Sequence, residues 1–246
     1  MFKKNFFMIY GIAGYLLFNA VLIYFMAFLA NLPVPKTVDS GTAIGIVPAI
    51  AIDILLMALF GIQHSLMARP FFKRWWLNMV PLPIERSTYV WLSSGLLLVL
   101  FWQWQPVPTV VWQVNHSLGY WILWSLFGSS WLFALYATSL IDHFDLLGLR
   151  QVYLYFRGEP YTPVAFKEVS VYRYIRHPIM LGTLIGLWAT PLMTLGHLLL
   201  AIGFSIYIFI GIRLEEDDMK DIHGEWYEHY RRKTSMVMPL FLLRKK

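Results

Sequence analysis

Phe6 to Ala30 runs FFMIYGIAGYLLFNAVLIYFMAFLA, about 25 residues without a single charge. At ~1.5 Å per residue, a helix of that length crosses the ~30 Å hydrocarbon core of a bilayer. Lys3 and Lys4 precede it. A cleaved signal peptide would have a shorter apolar stretch and a small-residue cleavage site, so this stretch is expected to remain as a transmembrane helix. The rest of the chain has the same character. It is 58% apolar and 17% aromatic, and its 14% charged residues fall well below the ~25% of soluble domains.

Working outward, a second span is expected from about Ile44 to Met67. A third runs from Tyr89 to about Trp104, bracketed by Trp91, Trp102 and Trp104 as an interfacial aromatic belt. A fourth runs from Ser117 to Leu140, and residues 141–170 form a polar loop. Pro178 opens a fifth helix, because the first helical turn does not need the N–H that proline lacks. Pro191 to His197 makes a turn into a sixth helix, Leu198 to Leu214. The arms of this hairpin are short, which implies a tilted or partly spanning pair. Residues 223–232 are expected to form an amphipathic helix. The fold class predicted is an all-α integral membrane protein with about six transmembrane helices, folded as one domain over residues 1–246.

Alternating these spans from an internal N-terminus leaves only Lys36, of the 20 Lys and Arg, on the outer side. That satisfies the positive-inside rule, so both termini are expected in the cytoplasm. The net charge of +6 then reports membrane orientation, not a nucleic-acid partner. Zero cysteines exclude a disulfide framework, thiolate metal sites and cysteine nucleophiles.

Ionisable residues are scarce in membrane-embedded chains and tend to be functional. Here they gather in Arg173-Tyr174-Ile175-Arg176-His177-Pro178, in Glu215-Glu216-Asp217-Asp218, and in the run from His223 to Arg232. One cluster precedes the hairpin and the others follow it, so a hairpin that leaves the surface and returns brings them to one membrane face. The result is a polar chamber suited to a charged ligand. Arg176 and His177 at a helix N-terminus make an anion site, or else a basic anchor. Gly182 and Gly186, four apart, permit close approach of a helix or a ligand. Glu215 and Glu216 at the end of the sixth helix oppose its dipole. Either they are a solvated acidic end, or a cationic or polyhydroxyl ligand compensates them. Tyr227 and Tyr230 lie one turn apart and line one wall, or anchor the helix at the interface.

Two more groups have chemistry to offer. Asp53 lies within the second span, where a carboxylate costs roughly 2.5–3.5 kcal/mol, and His64 follows eleven residues later on the same helical face. That face is expected to look inward, whether toward a substrate or to make interhelical hydrogen bonds. Asp142, His143 and Asp145 follow the fourth span, as an acid–base group or as a polar helix end. No metal is expected, since neither a cysteine set nor a glycine-rich loop accompanies them.

The ordered pattern Arg-His-Pro-x-x-x-Gly (176–182), apolar hairpin, Glu-Glu (215–216), Gly-Glu-x-Tyr-x-x-Tyr (224–230) resembles the isoprenylcysteine carboxyl methyltransferase and phospholipid methyltransferase superfamily. Met180 departs from it, standing where many members carry tyrosine. Within that group, Gly61 to Arg69, Asp142 to Arg150, and Trp188 to Pro191 with Gly196-His197 resemble the bacterial methanethiol S-methyltransferases, which make dimethyl sulfide. The Gln63-His64-Ser65 stretch is also similar to NnrU-type membrane proteins.

The resemblance implies a membrane enzyme with S-adenosylmethionine (SAM) as methyl donor and no metal. It implies that His177 and Glu216 bind SAM at a cytoplasmic pocket, within a donor site of Arg176, His177, Pro178, Gly182, Glu215, Glu216, Tyr227, Tyr230 and Arg231. SAM offers a carboxylate to Arg176 and His177, hydroxyls and an amine to Glu215 or Glu216, and a sulfonium to aromatic faces. Residues 171–246 would carry this donor side and residues 1–170 the acceptor side. The acceptor would be methanethiol or a similar small thiol, with His64, His143 and Asp142 as catalytic candidates. The expected partners are that thiol and membrane lipids, not nucleic acid, and the expected location is the bacterial plasma membrane. A prenylcysteine carboxylate or lipid amine is the alternative acceptor, and a non-enzymatic NnrU-like accessory protein is the alternative role.

Overall fold

The computed structural model describes residues 1–164 and 167–238. Arg244, Lys245 and Lys246, counted above among the inner basic residues, lie outside them. In chain order the helices are α1 (Phe2–Leu29), α2 (Ile46–Ala68), α3 (Pro70–Trp76), α4 (Leu82–Gln103), α5 (Ser117–Ile141), α6 (His143–Leu146), α7 (Leu149–Arg157), α8 (Pro178–Trp188), α9 (Leu195–His223) and α10 (Glu225–Lys233). Strands β1 (Val110–Gln113) and β2 (Leu192–Thr194) form a two-stranded pair.

The fold is all-α and built for a membrane. Helices α1, α2, α5 and α9 are long and apolar enough to cross one. Their outer faces carry large apolar side chains in the open, such as Ile9, Leu16 and Ile23 on α1 and Leu118, Trp121 and Leu132 on α5. Lipid, not water, is the solvent that tolerates such a surface. Helix α4 has 22 residues but carries Glu85 and Arg86 near its start. Helix α8 has 11 residues, so its ~1.5 Å rise per residue reaches only about half of the hydrocarbon core.

The structure corrects the sequence reading in three places. The expected polar loop 141–170 contains α7, bracketed by Gly148 (φ 83°) and Gly158 (φ 79°), whose left-handed backbone both starts and stops the helix. The third long helix begins at Leu82, not Tyr89. Helix α9 runs past Leu214 to His223, so Glu215 and Glu216 lie inside it, and the dipole argument does not apply.

The chain folds as two compact units. The first comprises 1–109, 142–164 and 194–200, and the second the described parts of 110–141, 165–193 and 201–246. In the first, an aromatic cluster joins α1 to α4, with the Phe101 ring 5.1 Å from that of Phe28 and 5.6 Å from that of Phe25. Trp104 Nε1 donates to the Val38 carbonyl at 3.1 Å. In lipid such clusters hold helices together by dispersion more than by removal from water. Helix α7 packs on α1, where Gly11 leaves room for the Val152 side chain. In the second unit α8 packs on α5. A Cβ on Gly182 would sit 2.6 Å from the Ser130 carbonyl oxygen, and one on Gly186 would sit 2.7 Å from the Trp131 ring.

Candidate functional site

In the second unit, Pro178 opens α8 as expected, with His177 as its N-cap. The segment after α10 returns beside this start. Arg176 N donates to the Ser235 carbonyl at 2.8 Å and His177 N to that of Met236 at 3.1 Å. The Arg176 side chain is thereby drawn under α10, where its Nη1 donates to the carbonyls of Arg231, at 2.9 Å, and Thr234. Its Nε donates to Glu216 Oε1 at 2.7 Å, and the same oxygen is 3.1 Å from His177 Nε2. His177 Nδ1 lies 3.7 Å from Glu215 Oε2.

The members of this cluster differ in what they can offer a ligand. Arg176 and Glu216 are 7% and 6% exposed at their side chains and neutralise each other, whereas Glu215 is 50% exposed. Two buried tyrosines close the cluster. Tyr230 donates to the Tyr172 carbonyl at 2.6 Å. Burial, then the nearby charge of Glu216, pushes the Tyr227 phenol up from its ordinary value, so it stays protonated and able to donate. Thr234 Oγ1 is buried without a hydrogen-bond partner among the described residues. Among the described residues the open groups are therefore one half-exposed carboxylate, one phenol and one hydroxyl beside a buried cation. That set suits a ligand carrying both charges. Gly182 serves helix packing against α5, and the Arg231 guanidinium pairs with Glu228 at 3.1 Å while its carbonyl holds Arg176.

In the first unit, Asp53 and His64 share the side of α2 that meets α4 and the chain leaving it. Asp53 is fully buried, and its Oδ1 accepts from Gln105 N at 2.8 Å. The His64 ring lies 5.1 Å from that of Tyr89, whose hydroxyl donates to the His64 carbonyl at 3.3 Å. Eleven helical residues separate the two by roughly 16 Å, so they serve different ends of α2. Asp142 N-caps α6, accepting from Asp145 N at 2.9 Å. Arg150 holds Asp145 at 3.1 Å and approaches Asp142 at 3.8 Å. His143 reaches back to α1, with Nε2 3.2 Å from the Tyr15 hydroxyl. Burial holds His143 below the ordinary histidine range, partly opposed by the charge of Asp142. It is therefore a neutral proton acceptor at neutral pH. Among the described residues no three His, Cys, Asp or Glu are grouped as a metal would need.

Comparison with known proteins decides the family. The chain is 47% identical over 237 residues to the methanethiol S-methyltransferase of Mycobacterium tuberculosis, covering 96% of this chain and 97% of that one. It is 44% identical over 246 residues to methanethiol S-methyltransferase 2 of Bradyrhizobium diazoefficiens, covering 100% of this chain and 95% of that one. The chain belongs to the methanethiol S-methyltransferase family. It is a methyltransferase. A more distant relative is Nurim of Xenopus laevis, 34% identical over 177 residues, covering 69% of this chain and 62% of that one. No protein-family model and no solved structure matches the chain.

In this methanethiol S-methyltransferase family member, two residues beyond the expected set complete the picture. Thr234 follows α10 and was invisible to motif reading, because a lone threonine after a basic run carries no spacing signal. Arg86 stood in the sequence only as one more inner basic residue. The structure puts it within electrostatic reach of both His64 and Tyr161. Next to it, the Ser87 hydroxyl donates to the Gly148 carbonyl at 3.3 Å. The signal available was the pair Glu85-Arg86 just inside a helix, once its start is moved back to Leu82.

Proposed function

We propose that this chain transfers the methyl group of SAM to methanethiol, giving dimethyl sulfide, at the cytoplasmic face of the bacterial plasma membrane. The observation that carries the donor side is the buried Arg176–Glu216–His177 cluster beside the half-exposed Glu215. The acceptor follows from the names of relatives covering nearly the whole chain. SAM fits the open valences. Its amine or ribose hydroxyls match Glu215, and its carboxylate, on the Arg176 and His177 side, would take donors from the Thr234 hydroxyl and the Tyr227 phenol.

The step itself is short. The thiolate sulfur donates a lone pair to the methyl carbon, forming the new C–S bond. The bond from that carbon to the sulfonium sulfur breaks, and its electron pair stays on the departing thioether. The thiol proton passes to His64 or His143 and on to solvent. A thiolate attacks far better than a thiol, and even cysteine titrates near ~8.5. The protein's work is to hold the thiolate, orient it and exclude water. Residues 171–246 carry the donor side and residues 1–170 the acceptor side. About six crossings place both termini in the cytoplasm, since Lys36 alone of the 20 Lys and Arg falls outside. A reporter fused in the Lys36 loop should therefore read the opposite side from one fused at the N-terminus.

The deciding experiment supplies methyl-labelled SAM to membranes containing the protein, with methanethiol, larger thiols and endogenous lipids as competing acceptors. Label in dimethyl sulfide is the expected result. Label confined to lipid would replace the acceptor, and no transfer to any acceptor would overturn the reading.

A further inference from the structure

The first unit contains a cavity of about 30 Å³ lined by Met67 and Ala68 at the end of α2, Lys73 on α3, and Glu85, Arg86 and Tyr89 on α4. One water needs about 10–15 Å³ of such space, so the cavity suits a guest of about two heavy atoms. Lys73 Nζ pairs with Glu85 Oε2 at 3.2 Å, so the one carboxylate in the wall is already neutralised. Arg86 Nε is buried and has no hydrogen-bond partner among the described residues. A buried charged donor without an acceptor is costly, and guanidinium does not shed its proton. An acceptor arriving from outside, small and negatively charged, would resolve that strain.

We propose that this cavity is the seat of the methyl acceptor and that Arg86 binds its sulfur as the thiolate, with the methyl group against Met67 and Tyr89. The inference rests on the methanethiol reading above and deepens it. Methanethiol has two heavy atoms, which matches the cavity. Arg86 favours the ionised sulfur, and the released proton passes on to solvent. The charged or titratable groups around Arg86 include Lys73, Glu85 and Tyr89 in the wall, His64 packed on Tyr89, and Tyr161 from the segment after α7. Tyr161 is held protonated, burial pushing its phenol up. The cavity's size then sets the specificity, because a longer thiol has no room for its second carbon.

The test uses the full chain in membranes, with calorimetric SAM binding measured alongside turnover. Arg86→Gln should raise KM for methanethiol about tenfold or more, the effect of losing one charged hydrogen bond, and leave SAM affinity unchanged. The deficit should shrink between about pH 7 and pH 9, where solution supplies more thiolate, and Arg86→Lys should recover part of it. Met67→Ala, which enlarges the cavity without touching a charge, should raise turnover of ethanethiol relative to methanethiol. It decides the matter if the Arg86 variants fail to fold. Wild-type KM in Arg86→Gln across that pH range, or unaltered thiol selectivity in Met67→Ala, would overturn the inference while leaving the methanethiol reading intact. A wild-type protein inactive on methanethiol would remove both.

Discussion

Arg176 Nε and Glu216 Oε1 lie 2.7 Å apart although forty positions separate them in the chain, and both side chains are nearly fully buried. The contact ties the start of α8 to the last third of α9. Removing one partner of such a pair strands the other charge, which costs about 3–5 kcal/mol. Glu216→Ala should therefore lower the melting temperature in detergent as well as SAM affinity. Glu216→Gln keeps an acceptor for Arg176 and should retain more of both. SAM affinity is expected to fall roughly 10- to 150-fold in the alanine variant. Calorimetry and a thermal melt on the same preparations check this. A Glu216→Ala protein that melts and binds like the wild type would dissolve the cluster as a functional unit.

Gly182 separates packing from binding. A Cβ there meets the Ser130 carbonyl oxygen at 2.6 Å, and backbone cannot swing aside as a flexible side chain can. Gly182→Ala should destabilise by roughly 1–3 kcal/mol, the usual range for overpacking. Gly211→Ala on α9 has nothing within 4 Å of its new methyl group and should melt at or above the wild-type temperature. A Gly182→Ala protein with wild-type stability and impaired SAM binding would return this glycine to the ligand's side.

The membrane fold was legible because lipid imposes a coarse rule, that uncharged stretches of sufficient length are helices. The rule found α1, α2 and α5 within a few residues. It failed where polar residues sit in helices. Helix α7 was hidden because residues 141–170 look polar overall, yet Leu149, Val152, Tyr153 and Phe156 already carry the spacing of one helical face. The run Glu215 to Asp218 was read as a helix end, because four acids in a row suggest water. In the structure Glu216 faces Arg176 and His177 inside α9. The meeting of Arg176, His177 and Glu216 could be read because its partners are charged and rare. Asp142 was legible as a residue but not as a role, since a carboxylate three positions before another acid reads equally as a base or as an N-cap.

His143 gives a pH prediction with a definite sign. Its folded-state pKa lies below the ordinary 6.5, by burial first, with Asp142 opposing. Above 6.5 the ring is neutral in both folded and unfolded chains. As pH falls below 6.5 the unfolded chain takes up a proton before the folded one does, so His143 removes stability from 6.5 downward until the folded site also protonates. Its ring resonance, assigned by comparison with His143→Gln, should titrate below 6.5. Asp142→Asn keeps a capping side chain but removes the opposing charge, so the midpoint should drop further. A midpoint that stays put or rises in that variant would mean that Asp142 does not act on the ring electrostatically.

Asp53 is the residue whose position argues most strongly for structure over chemistry. Its Oδ1 accepts from the amide of Gln105, where the chain leaves α4. Lys36 lies within its electrostatic reach, so the one basic residue on the expected outer side has a partner carboxylate. Burial lowers the Lys36 pKa and the charge of Asp53 opposes that. Replacing Asp53 with leucine leaves the part-buried Gln105 amide without this acceptor, at a cost of up to about 1–3 kcal/mol. The asparagine variant keeps a carbonyl oxygen for it and should lose less. Both should keep the wild-type KM for methanethiol, because His64 and the Arg86 cavity lie toward the other end of α2. Steady-state kinetics beside thermal melts separates the two roles. A raised KM in Asp53→Asn at unchanged melting temperature would bring this carboxylate back to the acceptor and move the thiol seat along the helix.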